Sequence, residues 1–119
     1  MRRRLAIMTT SHVEVHVTAG SRKEAEKIAR TVVESRVAAG AQITGPIVST
    51  YWWKDEVQRE EEYLILMKTT RSRFGDLAAV VRAAHSYEVP EIVAVPIEDG
   101  LGDYLDWITR ETAGPRPGA

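Results

Sequence analysis

A short stretch, His85 to Glu91, collects several groups that can do chemistry. It places the imidazole of His85, the phenol of Tyr87 and the carboxylates of Glu88 and Glu91 between a predicted helix and a predicted strand, where functional sites are common. A neutral imidazole suits Cu²⁺ or Zn²⁺, and carboxylate oxygens can complete such a site. The stretch therefore predicts a divalent-cation site formed by His85, Glu88 and Glu91. In the alternative interpretation, His85 only complements the negative C-terminus of the helix.

The aromatic triplet Tyr51-Trp52-Trp53 is the second group that could bind something. Alternate side chains of a strand point to opposite faces, so Trp52 lies on one face and Tyr51 and Trp53 on the other. One layer of helices cannot cover all three rings. Because Trp and Tyr are enriched where proteins meet, the triplet is predicted to lie at a subunit interface, with stacking on a flat ligand as the alternative.

Other charged residues have weaker interpretations. Lys68 and Tyr87 are candidate residues of a ligand cleft between subunits, although exposed surface is the usual place for a lysine. The run Glu60-Glu61-Glu62 is predicted to be a solvated strand end that discourages edge pairing. The alternative for this run is a loose attraction for cations.

The sequence lacks the motifs of several common classes of catalytic site. The chain has no cysteine, which excludes thiol catalysis and thiolate metal sites, and it has only three histidines. It contains neither an HExxH motif nor a nucleophile elbow nor a glycine-rich phosphate loop. The sequence therefore predicts a protein that is not an enzyme.

The elements that must position these residues follow from hydrophobic periodicity. Val13, Val15 and Val17 alternate with polar residues as in a half-buried strand, and Ser21 with Glu24 forms a capping box for the first helix. The predicted order is strand Val13–Ala19, a helix from Ser21 that Gly40 closes, strands Gln42–Trp53 and Val57–Lys68 around the turn Lys54-Asp55-Glu56, a helix capped by Ser72 and ending near His85, strand Glu91–Ile97, and a helix from Asp103 to Thr112. This β-α-β-β-α-β order predicts an α+β, ferredoxin-like (split β-α-β) fold with both main helices on one sheet face.

The hairpin formed by the second and third strands is too long for the rest of the sheet. Each arm has about twelve residues and spans roughly 40 Å, whereas the first and last strands reach only about 23 Å. The hairpin is therefore predicted to extend beyond its own sheet and to carry its aromatic residues with it. Exposed apolar surface of this kind marks contact sites, so the chain is predicted to associate with copies of itself.

The composition indicates which classes of partner the chain can bind and in which compartment it is found. A net charge of −1 and an isoelectric point of about 6.3 give no field that would draw nucleic acid or a membrane surface. Absence of cysteine fits a cytoplasmic protein. Residues 12–113 are predicted to form a single domain, preceded by a flexible leader at residues 1–11 and followed by a disordered tail at residues 114–119.

Five motifs in order give the chain a resemblance to a known family. They are Val37-Ala38-Ala39-Gly40-Ala41, Ser49-Thr50-Tyr51-Trp52-Trp53-Lys54, Leu66-Met67-Lys68-Thr69-Thr70, His85-Ser86-Tyr87-Glu88-Val89-Pro90-Glu91-Ile92 and Asp103-Tyr104-Leu105-Asp106-Trp107. Together they resemble the CutA-type divalent-cation tolerance proteins from about Glu14 to Glu111. The family often has Cys where this chain has Gly40, and Pro where it has Ser86, so only His85 carries over as a ligand candidate.

The resemblance implies a small homotrimer with a ferredoxin-like fold and a PII-like assembly. It also implies a non-enzymatic role in tolerance of copper and other divalent cations. The alternative function is a PII-like sensor that binds a small anion or metabolite between subunits and acts through a protein partner. Lys68 and Arg71 are the residues that would supply charge to such a ligand.

Overall fold

The computed structural model describes residues 11–114, and within them four strands and three α-helices form a ferredoxin-like α+β fold. The bounds are β1 His12–Ala19, α1 Arg22–Glu34, β2 Gly40–Trp53, β3 Glu56–Thr70, α2 Phe74–Ala84, β4 Ile92–Pro96 and α3 Gly102–Glu111. The antiparallel sheet has the order β2-β3-β1-β4, so both proline-containing strands are edge strands, as their prolines predict. The predicted leader and tail lie almost wholly outside the described residues.

The core lies between one face of the sheet and the helices α1 and α2. Alternation turns Val13, Val15 and Val17 of β1 to this face, where each is at most 1% exposed. The other core positions are Ala25, Ile28 and Val32 of α1, Ile65 and Met67 of β3, and Leu77 and Val81 of α2. Full burial of one such aliphatic side chain stabilises the fold by about 1.5–3 kcal/mol, so this layer fixes the sheet on which the site is built.

The hairpin of β2 and β3 extends beyond the other two strands, as its length predicts. β1 pairs with β3 only from Tyr63 to Thr70, whereas β2 continues to pair with β3 as far as Trp53 opposite Glu56. The extended part, residues 47–62, is here called the overhang. A two-residue turn at Lys54 (φ 51°) and Asp55 (φ 66°) closes it, because this turn geometry matches the twist of the strands.

Two predicted helix boundaries are wrong. Helix α1 ends at Glu34 rather than at Gly40, because Arg36 adopts a left-handed conformation (φ 62°) that a helix cannot include. Val37 is buried as predicted, but from a loop, so its helical spacing is coincidental. Ser72 does not cap α2, since it lies in a 3₁₀ turn and its hydroxyl oxygen is 3.2 Å from that of Thr70.

The second face of the sheet is only partly covered. At one end α3 lies close to it, with His12 Nε2 2.9 Å from Thr109 Oγ1 and the ring of Trp107 3.3 Å from the position that a Cβ on Gly40 would take. Elsewhere on this face Val93 and Val95 are 46% and 43% exposed. No helix in residues 11–114 is long and apolar enough to span a membrane.

Candidate functional site

A cleft of about 740 Å³ lies on the second face of the sheet, where the overhang begins. One wall is formed by hairpin residues and the other by the loop of residues 85–91 that connects α2 to β4. The lining residues are Thr18, Ser49, Thr50, Tyr51, Trp53, Gln58, Glu60, Glu62, Tyr87, Glu88, Val89 and Glu91. The cleft therefore joins three aromatic rings to four carboxylates, and among the described residues its lining includes no Lys, Arg or His.

His85 holds the loop against the sheet through both of its ring nitrogens. Its side chain is fully buried. Nε2 lies 2.7 Å from the Thr18 carbonyl oxygen, which can only accept, so Nε2 carries the proton. Nδ1 accepts the backbone N–H of Tyr87 at 3.1 Å. The ring is therefore neutral, and the 3.7 Å contact of Nδ1 with the Glu24 carboxylate is not an ion pair.

A second attachment of the loop comes from helix α1. Glu24 accepts hydrogen bonds from the Ser86 backbone N–H at 2.8 Å and from the Ser86 hydroxyl at 3.1 Å. Burial acts to raise the pKa of Glu24, but these two hydrogen bonds and a further one from the Gly20 backbone act in the opposite direction, and the pKa lies below its ordinary value. Glu24 is therefore ionised at neutral pH and stabilises the start of the loop.

A third attachment joins the loop to the overhang. The Tyr87 hydroxyl donates to Glu62 Oε2 at 2.7 Å, and the Tyr51 hydroxyl donates to Glu60 Oε1 at 3.0 Å. The pKa of Tyr87 is raised well above its ordinary value by burial and by the Glu62 carboxylate. The hydrogen bond to Glu60 likewise raises the pKa of Tyr51. Both phenols therefore remain protonated and keep donating at neutral pH.

The structure separates the three predicted metal ligands. Glu88 and Glu91 line the cleft, whereas His85 is buried beneath the loop with both nitrogens in hydrogen bonds. Within residues 11–114, no three His, Asp or Glu side chains lie close enough together to enclose a metal ion. Metal binding at these residues stays a prediction. The hydrogen bonds of His85 support a different role, which is to position the loop.

The other predicted site residues are distributed between two faces. Tyr51, Trp53 and Tyr87 line the cleft, while Trp52 is 74% exposed on the opposite face of the overhang. Lys68 does not line the cleft, because its ammonium group lies 3.3 Å from Glu14 Oε1 nearer the other end of the sheet. The interface role of the aromatic triplet remains a prediction for the assembled protein.

The sequence analysis gave Glu60 and Glu62 only a weak functional interpretation, a loose attraction for cations, and favoured a solvated strand end. Glu62 is not solvated as predicted, since it is only 5% exposed beneath Tyr87, and Glu60 also lines the cleft. The alternation of side chains along β3 could have separated these residues, because it turns Glu60 and Glu62 to one face and Glu61 to the other. The fold of the loop over that face could not be read from the local sequence.

Comparison with known proteins identifies the family. The family model for the CutA1 divalent ion tolerance protein matches residues 13–111. The divalent-cation tolerance protein CutA of Archaeoglobus fulgidus is 40% identical over 97 residues, which are 82% of this chain and 94% of that protein. The protein of the same name from Thermus thermophilus is 44% identical over 98 residues, which are 82% of this chain and 95% of that protein.

The fold agrees with this assignment. The solved structure of the divalent cation tolerance protein Cut A1 from Thermus thermophilus superposes with a TM-score of 0.83 at 42% identity. The superposition covers 85% of this chain and 98% of that one. Sequence and structure therefore agree over nearly the whole described domain, and the chain belongs to the CutA1 family of divalent ion tolerance proteins.

Proposed function

We propose that this chain is a non-enzymatic divalent-cation tolerance protein that works as a homotrimer, with the overhang of each copy covered by its neighbours. The observation that carries the assembly is the exposed apolar surface of the overhang, where Trp52, Val57 and Val48 are 74%, 57% and 56% exposed. Val57 lies directly opposite Trp52 in the β2–β3 register, so the two side chains form one patch. Surfaces of this kind on a small protein are ordinarily covered by a partner.

Divalent cations would bind at the acidic cleft rather than at His85. Glu88 and Glu91 are exposed on its wall, and Glu60 and Glu62 add negative charge from the hairpin. Carboxylate oxygens and water satisfy hard divalent cations, whereas Cu²⁺ and Zn²⁺ bind imidazole readily. Binding of Cu²⁺ or Zn²⁺ through His85 would first have to displace its bonds to Thr18 and Tyr87. A cation held by Glu88 and Glu91 would take its remaining ligands from water or a neighbouring copy.

One observation favours the alternative of a small-molecule sensor. The cleft volume of about 740 Å³ falls within the range of small-molecule sites. Its charge argues against an anionic ligand, however, because four carboxylates line it and Lys68 is paired with Glu14 elsewhere. The sensor alternative therefore requires a neutral or cationic ligand.

Calorimetric titration of the purified protein with Mn²⁺, Cu²⁺ and Zn²⁺ tests the metal proposal. The variant Glu88→Gln/Glu91→Gln should lose most of the binding heat. The control Glu98→Gln/Asp99→Asn removes the same charge from exposed residues that do not line the cleft, and it should bind as the parent does. Equal heats in both double variants, or Cu²⁺ binding that disappears only in His85→Ala, would overturn this assignment.

A further inference from the structure

We propose that the C-terminal segment of this chain, residues 115–119, docks in a groove between helix α1 and the start of strand β2. The groove has a volume of about 630 Å³. Its lining residues are Glu26, Ala29, Arg30, Val33, Glu34, Ala41 and Ile43. None of them belongs to the overhang, so the groove is separate from the surface that the proposed assembly covers. The inference goes beyond the proposed function and does not rest on it.

The floor of the groove is apolar and only partly buried. Ala29, Ala41 and Ile43 pack against the core without being enclosed by it, and Val33 is 37% exposed. β2 is an edge strand, so no other strand in residues 11–114 lies on its outer side. Apolar groups that rested on these side chains would remove their surface from water and complete the layer between α1 and the sheet.

The chain passes beyond the described residues beside this groove. Arg36 Nη1 donates to the carbonyl oxygen of Glu111 at 3.2 Å and to its carboxylate at 3.1 Å, which attaches the end of α3 to the loop after α1. A Cβ on Gly114 would lie only 2.8 Å from Arg36 Cδ, so Gly114 packs directly on this arginine. Arg36 follows the groove residue Glu34 by two positions. The C-terminal segment therefore begins next to one end of the groove.

The length of the segment matches the length of the groove. Between Glu26 and Glu34 the groove follows α1 for about 12 Å, at a rise of ~1.5 Å per residue. The five residues of the segment span about 15 Å in the polyproline II conformation. Pro115 and Pro117 favour that conformation and leave less backbone freedom to lose on binding. The expectation of a disordered tail came from the composition of the segment alone, without the groove.

The charges of the segment and the groove are complementary. Arg116 is the only charged side chain in residues 115–119. The groove carries the carboxylates of Glu26 and Glu34 against the single guanidinium group of Arg30. The contact of Glu34 with Arg30, at 3.8 Å, joins two largely exposed side chains, and pairs of this kind are weak. Glu34 can therefore accept a second ion pair from Arg116.

Cross-linking of the full chain tests this inference, because the sequence has no cysteine and so no competing thiol. The groove pair is Ala119→Cys with Ala29→Cys. The control pair is Ala119→Cys with Lys27→Cys, since Lys27 is exposed on the same helix but does not line the groove. Oxidised glutathione drives disulfide formation, and each rate is divided by the thiol reactivity of the single variant Ala29→Cys or Lys27→Cys. The groove pair should form an intrachain disulfide at least about tenfold faster, because an undocked segment would meet both positions at similar effective concentration.

Charge variants of the groove pair test the contribution of Arg116. Arg116→Glu should slow the disulfide, and addition of Glu34→Arg should restore the rate. Arg82→Glu is the matched control, because Arg82 is exposed on α2 and does not line the groove, and it should leave the rate unchanged. Equal slowing by Arg116→Glu and Arg82→Glu would overturn the proposal.

Two other results would also overturn it. Equal normalised rates for the groove pair and the control pair would show that the segment has no preference for the groove. A disulfide that joins two chains, seen as a doubled mass under non-reducing denaturing conditions, would assign the groove to the segment of a neighbouring copy.

Discussion

Replacing His85 with alanine should destabilise the protein by about 3 kcal/mol even when no metal is present. The side chain is fully buried, so its removal leaves a cavity beneath the loop. It also leaves the Thr18 carbonyl and the Tyr87 N–H without their partners, and each such loss costs about 1–3 kcal/mol. The contact between the His85 and Tyr87 rings, whose centroids are 4.6 Å apart, is lost as well. The figure lies below the sum of these costs because an exposed loop can partly relax and admit water.

The assay is urea unfolding of the parent and the variant in EDTA, at one fixed protein concentration because assembly affects apparent stability. Hydrogen exchange at the Tyr87 amide should accelerate in the variant, since this N–H loses its acceptor. His85→Gln offers a control: its amide nitrogen can replace the donor to the Thr18 carbonyl and should restore about 1 kcal/mol.

The two roles considered for His85, positioning residue and metal ligand, predict different results. If His85 mainly served as a ligand, the metal-free variant would unfold like the parent, and a difference would emerge only on addition of Cu²⁺. A free energy of unfolding within about 0.5 kcal/mol of the parent in EDTA would therefore refute the positioning role, because surface changes commonly fall in that range.

Three further changes test other parts of the account. Trp52→Ala or Trp53→Ala should each weaken assembly by about 2–4 kcal/mol, measured as the dissociation constant in sedimentation equilibrium; an unchanged constant would contradict the interface role. Lys68→Met should lower stability at neutral pH by about 1 kcal/mol and make the loss of stability on acidification shallower. Burial acts to raise the pKa of Glu14, but His16 and Lys68 outweigh it and lower the pKa below 4.5. The stability that the ionised Glu14 gains from these two partners is therefore present above pH 4.5 and is lost as the pH falls through the lowered pKa. An acid-unfolding curve with the parent's slope would contradict this coupling. Asp55→Gly should raise the free energy of unfolding by about 0.5 kcal/mol, because glycine adopts φ 66° without strain; urea unfolding that shows a loss would contradict the turn assignment.

Local patterns in the sequence were sufficient to predict the fold. The alternation of Val13, Val15 and Val17 sets the buried face of β1, and the length of the hairpin predicts its overhang. The boundary of α1 was wrong because the helical spacing of apolar residues continues through Val37, beyond the point where Arg36 reverses the chain. Only the backbone conformation at Arg36 distinguishes a helix end from a continuing helix.

The site was harder to predict because contacts between distant parts of the chain define it. Tyr87 and Glu62 are 25 residues apart, and Ser86 and Glu24 are 62 residues apart. A run of three glutamates ordinarily indicates solvent, and nothing near Glu62 in the sequence shows that the loop covers it. The ion pair of Lys68 could not be predicted for a similar reason, since its partner Glu14 lies on another strand.

The most direct test of the central claim, that neighbouring copies cover the overhang, is sedimentation equilibrium of the unmodified chain at low micromolar concentration. We expect a particle of three times the 13.3 kDa chain mass, without detectable single chains. A folded particle with the mass of one chain would contradict it, because Trp52, Val57 and Val48 would then remain exposed to water.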